Sequence, residues 1–251
     1  MTMSRVLFMA DLDNTLFKSG RRIPLEDRDT VAWLKVDGTP GGFMNGAQTK
    51  FWNWVNATGV VCPITARRPS AFARVVLPFG PWQACNFGAI IYKNGIEDAL
   101  WTQQGAQFAS ESAGPLEHLW DEALALASQS FIGGPLDLSV TRETIDGELL
   151  YISITDKQQG AYLPLLAHIL RGLDSGSQHT LVVSNKTVAL TPKWLNKQRA
   201  AKYIRDKATL EGFNTFIGLG DNLNDLEFMQ VCDWGMYPND SQIAKESLNW
   251  A

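Results

Sequence analysis

The sequence predicts an α/β protein, a parallel-sheet core into which an α+β module is inserted. Three observations predict this. Val6-Leu7-Phe8-Met9-Ala10, Val60-Val61-Cys62-Pro63-Ile64 and Thr215-Phe216-Ile217-Gly218-Leu219 are short unbroken apolar runs, the pattern of strands buried on both faces. Stretches with helical spacing lie between and after these runs, the alternation of a parallel sheet. Between about residues 90 and 185 the pattern changes to hairpin signals mixed with helices, as expected of an α+β insertion.

In chain order, the first run is expected to form a strand that ends near Asp11 and Asp13. If strand geometry persists that far, the two carboxylates project to one side. Residues 18–46 have weak periodicity and many glycines, and such a region is commonly a functional or disordered loop. Residues 48–57 read as a helix with Phe51, Trp54 and Val55 on one face, and Gly59 is placed to end it. The second buried run ends at Thr65-Ala66-Arg67, and Pro69 suits the first turn of a helix carrying Phe72, Val75 and Val76. Residues 89–92 form a strand entering the tight turn Asn94-Gly95.

A helix over 115–130 carries Leu116, Leu119, Trp120, Ala123, Leu124 and Ala127 at helical spacing. Asp146-Gly147 joins two strands within 138–154, a helix covers about 161–170, and strands at 179–184 and 187–190 meet at Asn185-Lys186. The core pattern then resumes. A helix over 196–207 buries Ala200, Tyr203 and Ile204, the third apolar run leads into Gly220-Asp221-Asn222-Leu223-Asn224-Asp225, and a helix covers 226–231. A short strand at 234–236 and a helix over 241–248 close the chain.

Bulk properties restrict the function. The 251 residues suffice for a substantial core, and 45% hydrophobic with 19% charged residues is an ordinary globular balance. A formal net charge of -4 argues against nonspecific nucleic-acid binding. Three cysteines, Cys62, Cys85 and Cys232, lack metal-ligand spacing and read as reduced intracellular thiols. There is no apolar leader of adequate length and no run able to span a bilayer, so a cytoplasmic location is expected.

Polar residues gather at three strand ends: Asp11 and Asp13; Thr65; and Asp221 with Asn224 and Asp225. Ligands of open α/β sheets bind outside the carboxyl ends of the strands. Carboxylates from two strand ends can share a hard cation such as Mg²⁺, which takes oxygen ligands and keeps room for a phosphate. A hydroxyl at Thr65 ahead of a helix N-terminus suits a phosphate oxygen. Each of these residues also has an ordinary reading: a turn at Gly220-Asp221-Asn222, an N-cap at Thr65, a helix cap at Asp225.

Taken together, the set resembles the haloacid dehalogenase (HAD) superfamily of phosphotransferases over essentially the whole chain. Asp11, Asp13 and Thr15 match its D-x-D-x-T motif, Thr65 its second motif, Lys197 its third, and Gly220, Asp221, Asn224 and Asp225 its G-D-x-x-N-D motif. The resemblance implies a Rossmann-like core at 1–89 and 186–251 and an α+β cap at 90–185, similar in position to that of the Cof-like and sucrose-phosphate phosphatase branches. Asn86-Phe87-Gly88-Ala89 resembles the N-G-A segment those branches carry before the cap.

The resemblance implies a phosphomonoester hydrolase for a small phosphorylated metabolite, a sugar phosphate or sugar-acid phosphate first, with substrate choice in the cap. Asp11 would be the nucleophile forming an aspartyl phosphate and Asp13 the proton donor and acceptor. Mg²⁺ would be held by Asp11, the backbone carbonyl of Asp13, and Asp221, with Asp225 in support; Thr65, Lys197 and Asn224 would hold phosphate oxygens. The acid at position 13 favours phosphate esters over carbon–halogen bonds. A phosphomutase or phosphotransferase with the same aspartyl phosphate, and a noncatalytic phosphometabolite-binding protein, are the alternatives. Neither nucleic acid nor membrane is an expected partner, and a monomer or homodimer is expected.

The sequence departs from the pattern at Ala66, where the Cof-like branch often has Gly, and at Trp194, where a small residue is usual. Lys193 rivals Lys197 for the lysine role, and 18–46 exceeds the usual length of the family's flap. In the cap, Arg142, Glu143 and Lys186 are candidates to face substrate, whereas His118, His168 and His179 read as packing or surface residues.

Overall fold

The structure, a computed structural model, describes residues 5–127, 130–131, 134–135, 137–158, 160–174, 178–184 and 186–248. In chain order the elements begin with β1 (Val6–Ala10), β2 (Lys18–Ser19), β3 (Thr30–Leu34), β4 (Pro40–Met44), α1 (Gly46–Thr58) and β5 (Val60–Pro63). Next come α2 (Pro69–Phe72), β6 (Trp82–Cys85), β7 (Ile90–Lys93), β8 (Ile96–Glu97) and α3 (Ala99–Ala127). The middle continues with β9 (Ser130–Phe131), β10 (Gly134–Pro135), β11 (Leu138–Ile145), β12 (Glu148–Asp156), α4 (Leu163–Leu173), β13 (His179–Val183) and β14 (Thr187–Pro192). The chain closes with α5 (Lys197–Leu210), β15 (Thr215–Leu219), α6 (Leu226–Met229), β16 (Trp234–Met236) and α7 (Gln242–Leu248).

The chain divides into a first unit of Met1–Asp98 with Asn196–Ala251, and a second unit of Ala99–Leu195. The first unit is built on a parallel sheet of order β16-β15-β1-β5. β1 is therefore a central strand, and its unbroken apolar sequence follows from burial on both faces. Leu7, Phe8, Met9 and Ala10 are all fully buried, and Phe8 joins Leu12, Phe17, Trp52 and Val55 in one core. The buried face of α1 is Trp52 and Val55, while Trp54 is 48% exposed, so the expected stripe is rotated.

Residues 18–46, unassigned from the sequence, contain a small antiparallel sheet of order β2-β4-β3. It is tied to the chain after α2: the Leu34 N–H donates to the Arg74 carbonyl (2.8 Å) and the Val76 N–H to that of Ala32 (2.9 Å). This corrects the expected long helix after Pro69. That helix is one turn, and Val75 instead bridges Trp33 as in an antiparallel pair.

The hairpin β6–β7–β8 also belongs to the first unit, with Asn94 and Gly95 both at positive φ as a tight hairpin turn requires. The boundaries between units thus fall later in the chain than 90 and 185. Strand 90–93 pairs with β6, and β14 completes the sheet of the second unit before the chain leaves it.

The second unit has an antiparallel sheet of order β11-β12-β14-β13, with Asp146-Gly147 at positive φ in the β11–β12 turn. Leu116, Leu119, Leu149, Ile152, Leu166 and Leu190 form its core with residues of α3 and α4. The long helix α3 corrects the expectation of a start at Pro115, which lies inside it. Its end at Ala127 leaves Ser130 in a strand, and Asn185 of the expected β13–β14 turn lies outside the described residues. Among the described residues no helix is long and apolar enough to cross a membrane.

Candidate active site

Parallel pairing brings the strand ends together. Ala10 is in register with Leu219 on one side and Pro63 on the other. The Asp11 N–H continues the ladder to the Leu219 carbonyl (2.8 Å), and the Ile64 N–H donates to the Ala10 carbonyl (2.7 Å). Asp11 therefore emerges between the Gly220-Asp221 turn and Thr65. It is buried, and Lys197 Nζ donates to its Oδ1 at 2.5 Å.

Lys197 opens α5, where a cation runs against the helix dipole. Two carboxylates offset this, since Nζ also donates to Asp225 Oδ1 at 2.7 Å. The helix start is fixed by Asn196, whose side chain accepts from the Arg199 N–H (2.9 Å). Gly88, at φ +93, packs its backbone there: a Cβ would meet Ala200 Cβ at 2.7 Å. Lys197 is buried against Asp11 and Asp225, whereas its rival Lys193 is exposed in the second unit.

Asp225 is buried and its other oxygen accepts the N–H groups of Asp221 and Asn222, each at 3.0 Å. Its carboxylate thus shapes the loop that presents Asp221. Gly220 allows this close approach, because a Cβ there would lie 2.5 Å from Asp225 Cβ. The Thr15 hydroxyl lies 3.3 Å from Asp11 Oδ2 and 3.2 Å from Asp221 Oδ1, joining the two acidic strand ends.

Asp11, Asp221 and Asp225 each place a carboxylate oxygen within 4.8 Å of the others. Burial pushes the Asp11 carboxyl up to about 8, with Asp225 and Asp221 adding to it against the pull of Lys197. Burial likewise pushes Asp221 up to about 6, with Asp225 adding to it. Burial opposes the charge on Lys197, but Asp11 and Asp225 outweigh it and hold the ammonium above the usual lysine range. Three carboxylates facing one ammonium leave the cluster short of positive charge, and an all-oxygen donor set fits a hard divalent cation.

Asp13 is not one of these three carboxylates, although its charge adds to the upward push on Asp221. β1 ends at Ala10, and a turn in which Asn14 takes φ 66 and Leu16 and Phe17 donate back to the Leu12 carbonyl redirects the chain. The expectation that Asp11 and Asp13 project together from a continuing strand is therefore corrected. The Asp13 carboxylate meets Arg67 instead, a partner that sequence reasoning did not single out.

Thr65 is buried, and its Oγ1 accepts the Arg67 N–H at 3.1 Å, while its hydroxyl can still donate to a ligand. Asn224 is half-buried and donates its backbone N–H to the Asn222 side chain (3.1 Å). In the second unit, Arg142 is paired with Glu117 (2.6 Å) over the Trp120 ring, and Lys186 accepts the Asp156 N–H on its carbonyl (2.8 Å). Glu143 is half-buried on β11, His118 and His168 are exposed, and His179 is buried with Nδ1 3.0 Å from Asp174.

Neither family profiles nor curated protein sequences contain a match to this chain. Solved structures do. The sucrose-phosphatase of Synechocystis sp. PCC6803, in complex with sucrose and phosphate, superposes over 99% of this chain and 87% of its own, at a TM-score of 0.53 and 18% identity. The C-terminal domain of the C. albicans trehalose-6-phosphate phosphatase covers 90% of this chain and 73% of its own, at 0.55 and 13%. A Thermoplasma acidophilum protein covers 97% and 89%, at 0.57 and 12%. This chain has their fold. At these identities the likeness concerns architecture, and the chemistry has to be argued from the site.

Proposed function

We propose that this protein is a divalent-cation-dependent phosphomonoester hydrolase that attacks its substrate through Asp11. The observation that carries the reading is the Asp11, Asp221 and Asp225 cluster at two adjacent parallel strand ends, bridged by Lys197 and Thr15. A nucleophilic carboxylate must be ionised yet able to approach an anionic phosphate. Lys197 supplies one positive charge toward that end. Mg²⁺, held by Asp11, Asp221 and the Asp13 carbonyl, would supply the rest by neutralising charge on the phosphoryl oxygens.

Asp11 then forms a bond to phosphorus as the bond to the ester oxygen breaks, giving an aspartyl phosphate. Asp13, in its protonated form, gives that proton to the departing alkoxide and is left as the carboxylate that Arg67 holds. It later takes one from the water that attacks phosphorus and releases Asp11 and inorganic phosphate. Lys197, the Thr65 hydroxyl and Asn224 hold non-bridging oxygens, so the residues mainly position and stabilise charge, as phosphoryl transfer demands. Asp225, engaged by Lys197 and two backbone N–H groups, keeps the Asp221 loop in place.

A sugar phosphate is the preferred substrate class, supported by the sucrose-phosphatase and trehalose-6-phosphate phosphatase among the proteins of this fold. The test is phosphate release from a panel of phosphate esters with Mg²⁺ and with EDTA, for the wild type and Asp11→Asn. Turnover that needs Mg²⁺ and vanishes in Asp11→Asn is expected. Full turnover in the variant, or transfer to a hydroxyl without release of phosphate, overturns the proposal.

A further inference from the structure

Arg67 is held by Asp13 on one side and by two aromatic rings on the other. Its Nε donates to Asp13 Oδ2 at 2.6 Å and its Nη2 to Asp13 Oδ1 at 2.7 Å, a fork-on-fork pair with its own orientation built in. The Arg67 side chain is only 13% exposed, whereas that of Asp13 is 48% exposed. Left alone, a half-exposed carboxylate on a turn samples several rotamers. Arg67 engages both of its oxygens and so favours one orientation.

The backbone and guanidinium of Arg67 are fixed in turn. Its N–H donates to Thr65 Oγ1, and its carbonyl accepts the Asn86 N–H at 2.9 Å. Its guanidinium carbon lies 5.1 Å from the ring centre of Phe17 and 5.0 Å from that of Trp33. Phe17 belongs to the same turn as Asp13. Trp33 comes from β3, whose pairing with the 74–76 segment anchors it. A Cβ at Gly41 or Gly42 would overlap the Trp33 ring, so two glycines make its seat. The ring is seated although its Nε1, buried, has no hydrogen-bond partner among the described residues, an arrangement that ordinarily costs stability.

We propose that Arg67 is the positioning residue for Asp13, and that Trp33 on its glycine seat makes the β2–β4 sheet part of the proton-transfer apparatus. This rests on the reading of Asp13 as proton donor. Nε–H and one Nη2 hydrogen of the guanidinium serve Asp13, so Arg67 acts through that carboxylate, and the KM comparison decides whether its remaining donors also serve phosphate.

Proton donation matters when the leaving alkoxide is basic and hardly at all when it leaves readily. The test compares an alkyl phosphate with p-nitrophenyl phosphate in wild type, Arg67→Lys, Arg67→Ala, Trp33→Phe and Asp13→Asn, with Mg²⁺ present throughout. General acid catalysis contributes about 10²–10⁴-fold, and mispositioning the acid should forfeit at least about tenfold of it. The Arg67 variants are therefore expected to lose kcat on the alkyl ester at least about tenfold more than on the aryl ester, with KM nearly unchanged. Trp33→Phe, which keeps a ring over the guanidinium, is expected to retain most of the alkyl rate.

Equal losses on both esters would reduce Arg67 to a structural role, and a matching rise in KM for both would make it a phosphate ligand. Either result overturns the inference while leaving Asp13 as proton donor, provided that Asp13→Asn still discriminates between the esters. If Asp13→Asn slows both alike, the reading of Asp13 itself fails.

Discussion

Replacing Lys197 by methionine removes the ammonium that bridges Asp11 and Asp225 while keeping a side chain of similar length in a buried place. Breaking a buried ion pair by removing one partner costs about 3–5 kcal/mol, because the remaining charge is left uncompensated. The cost must depend on pH, and its sign follows from Asp11. Its carboxyl titrates at about 8 in the folded protein with Lys197 present. In the unfolded chain it titrates near the ordinary aspartate value of about 3.9. A raised folded value means that the folded state binds the extra proton, so the contribution of Asp11 to stability is full below about pH 4 and is lost as pH rises through about 8. Without Lys197 the folded value rises further and the loss at alkaline pH deepens. Urea unfolding in EDTA followed by circular dichroism reads this directly. With a urea slope of about 3 kcal/mol/M, the midpoint should fall by about 1 M or more near pH 8, and by less near pH 5. A shift worth under about 1 kcal/mol at both pH values, or a larger one at the acid end, would refute the electrostatic account of the cluster.

Three other expectations rest on the same geometry. Mg²⁺ should raise the thermal midpoint more near pH 8 than near pH 6, since it competes with protons for Asp11 and Asp221, which titrate at about 8 and about 6; an equal shift at both would count against a site at this cluster. Asp225→Asn should weaken Mg²⁺ affinity about 10–100-fold, because the amide cannot serve Lys197 and two backbone N–H groups as the carboxylate does; isothermal titration decides. Gly88→Ala should cost about 1–3 kcal/mol in urea unfolding, from its φ of +93 and the approach to Ala200 at the start of α5. A neutral result there would mean that α5 is not positioned by this turn.

Local signals are legible in the sequence and tertiary ones are not. β15 and β16 have the bounds that the sequence predicts, because apolar runs flanked by turn residues need no partner to be recognised. The Asn94-Gly95 and Asp146-Gly147 turns are equally plain, since positive φ at both residues suits few others. The start of α3 is hidden: Pro115 imitates a first-turn proline, and Gly105 and Gly114 weaken the helical signal ahead of it.

Residues 18–46 resist reading for a related reason. β2 has two residues, and β4 contains Gly41 and Gly42, which disfavour strands by propensity but are required by the Trp33 ring. At the site, the motif spacing points to Asp11, Lys197 and the Asp221 loop. It does not reveal that Asp13 turns away to Arg67, because that pair forms only once β1 and β5 stand side by side. Strand periodicity stops applying at Ala10, where the chain enters a turn.

The central claim is that Asp11 carries the phosphoryl group, and the most direct measurement is its capture. The wild-type protein, mixed with Mg²⁺ and a substrate from the ester panel and quenched in acid during turnover, is digested and its peptides weighed. The peptide containing Asp11 is expected to gain the mass of one phosphoryl group, and the Asp11→Asn variant to show no such gain. A phosphoryl group on a different residue, or phosphate release by the Asp11→Asn variant at the wild-type rate, would contradict it.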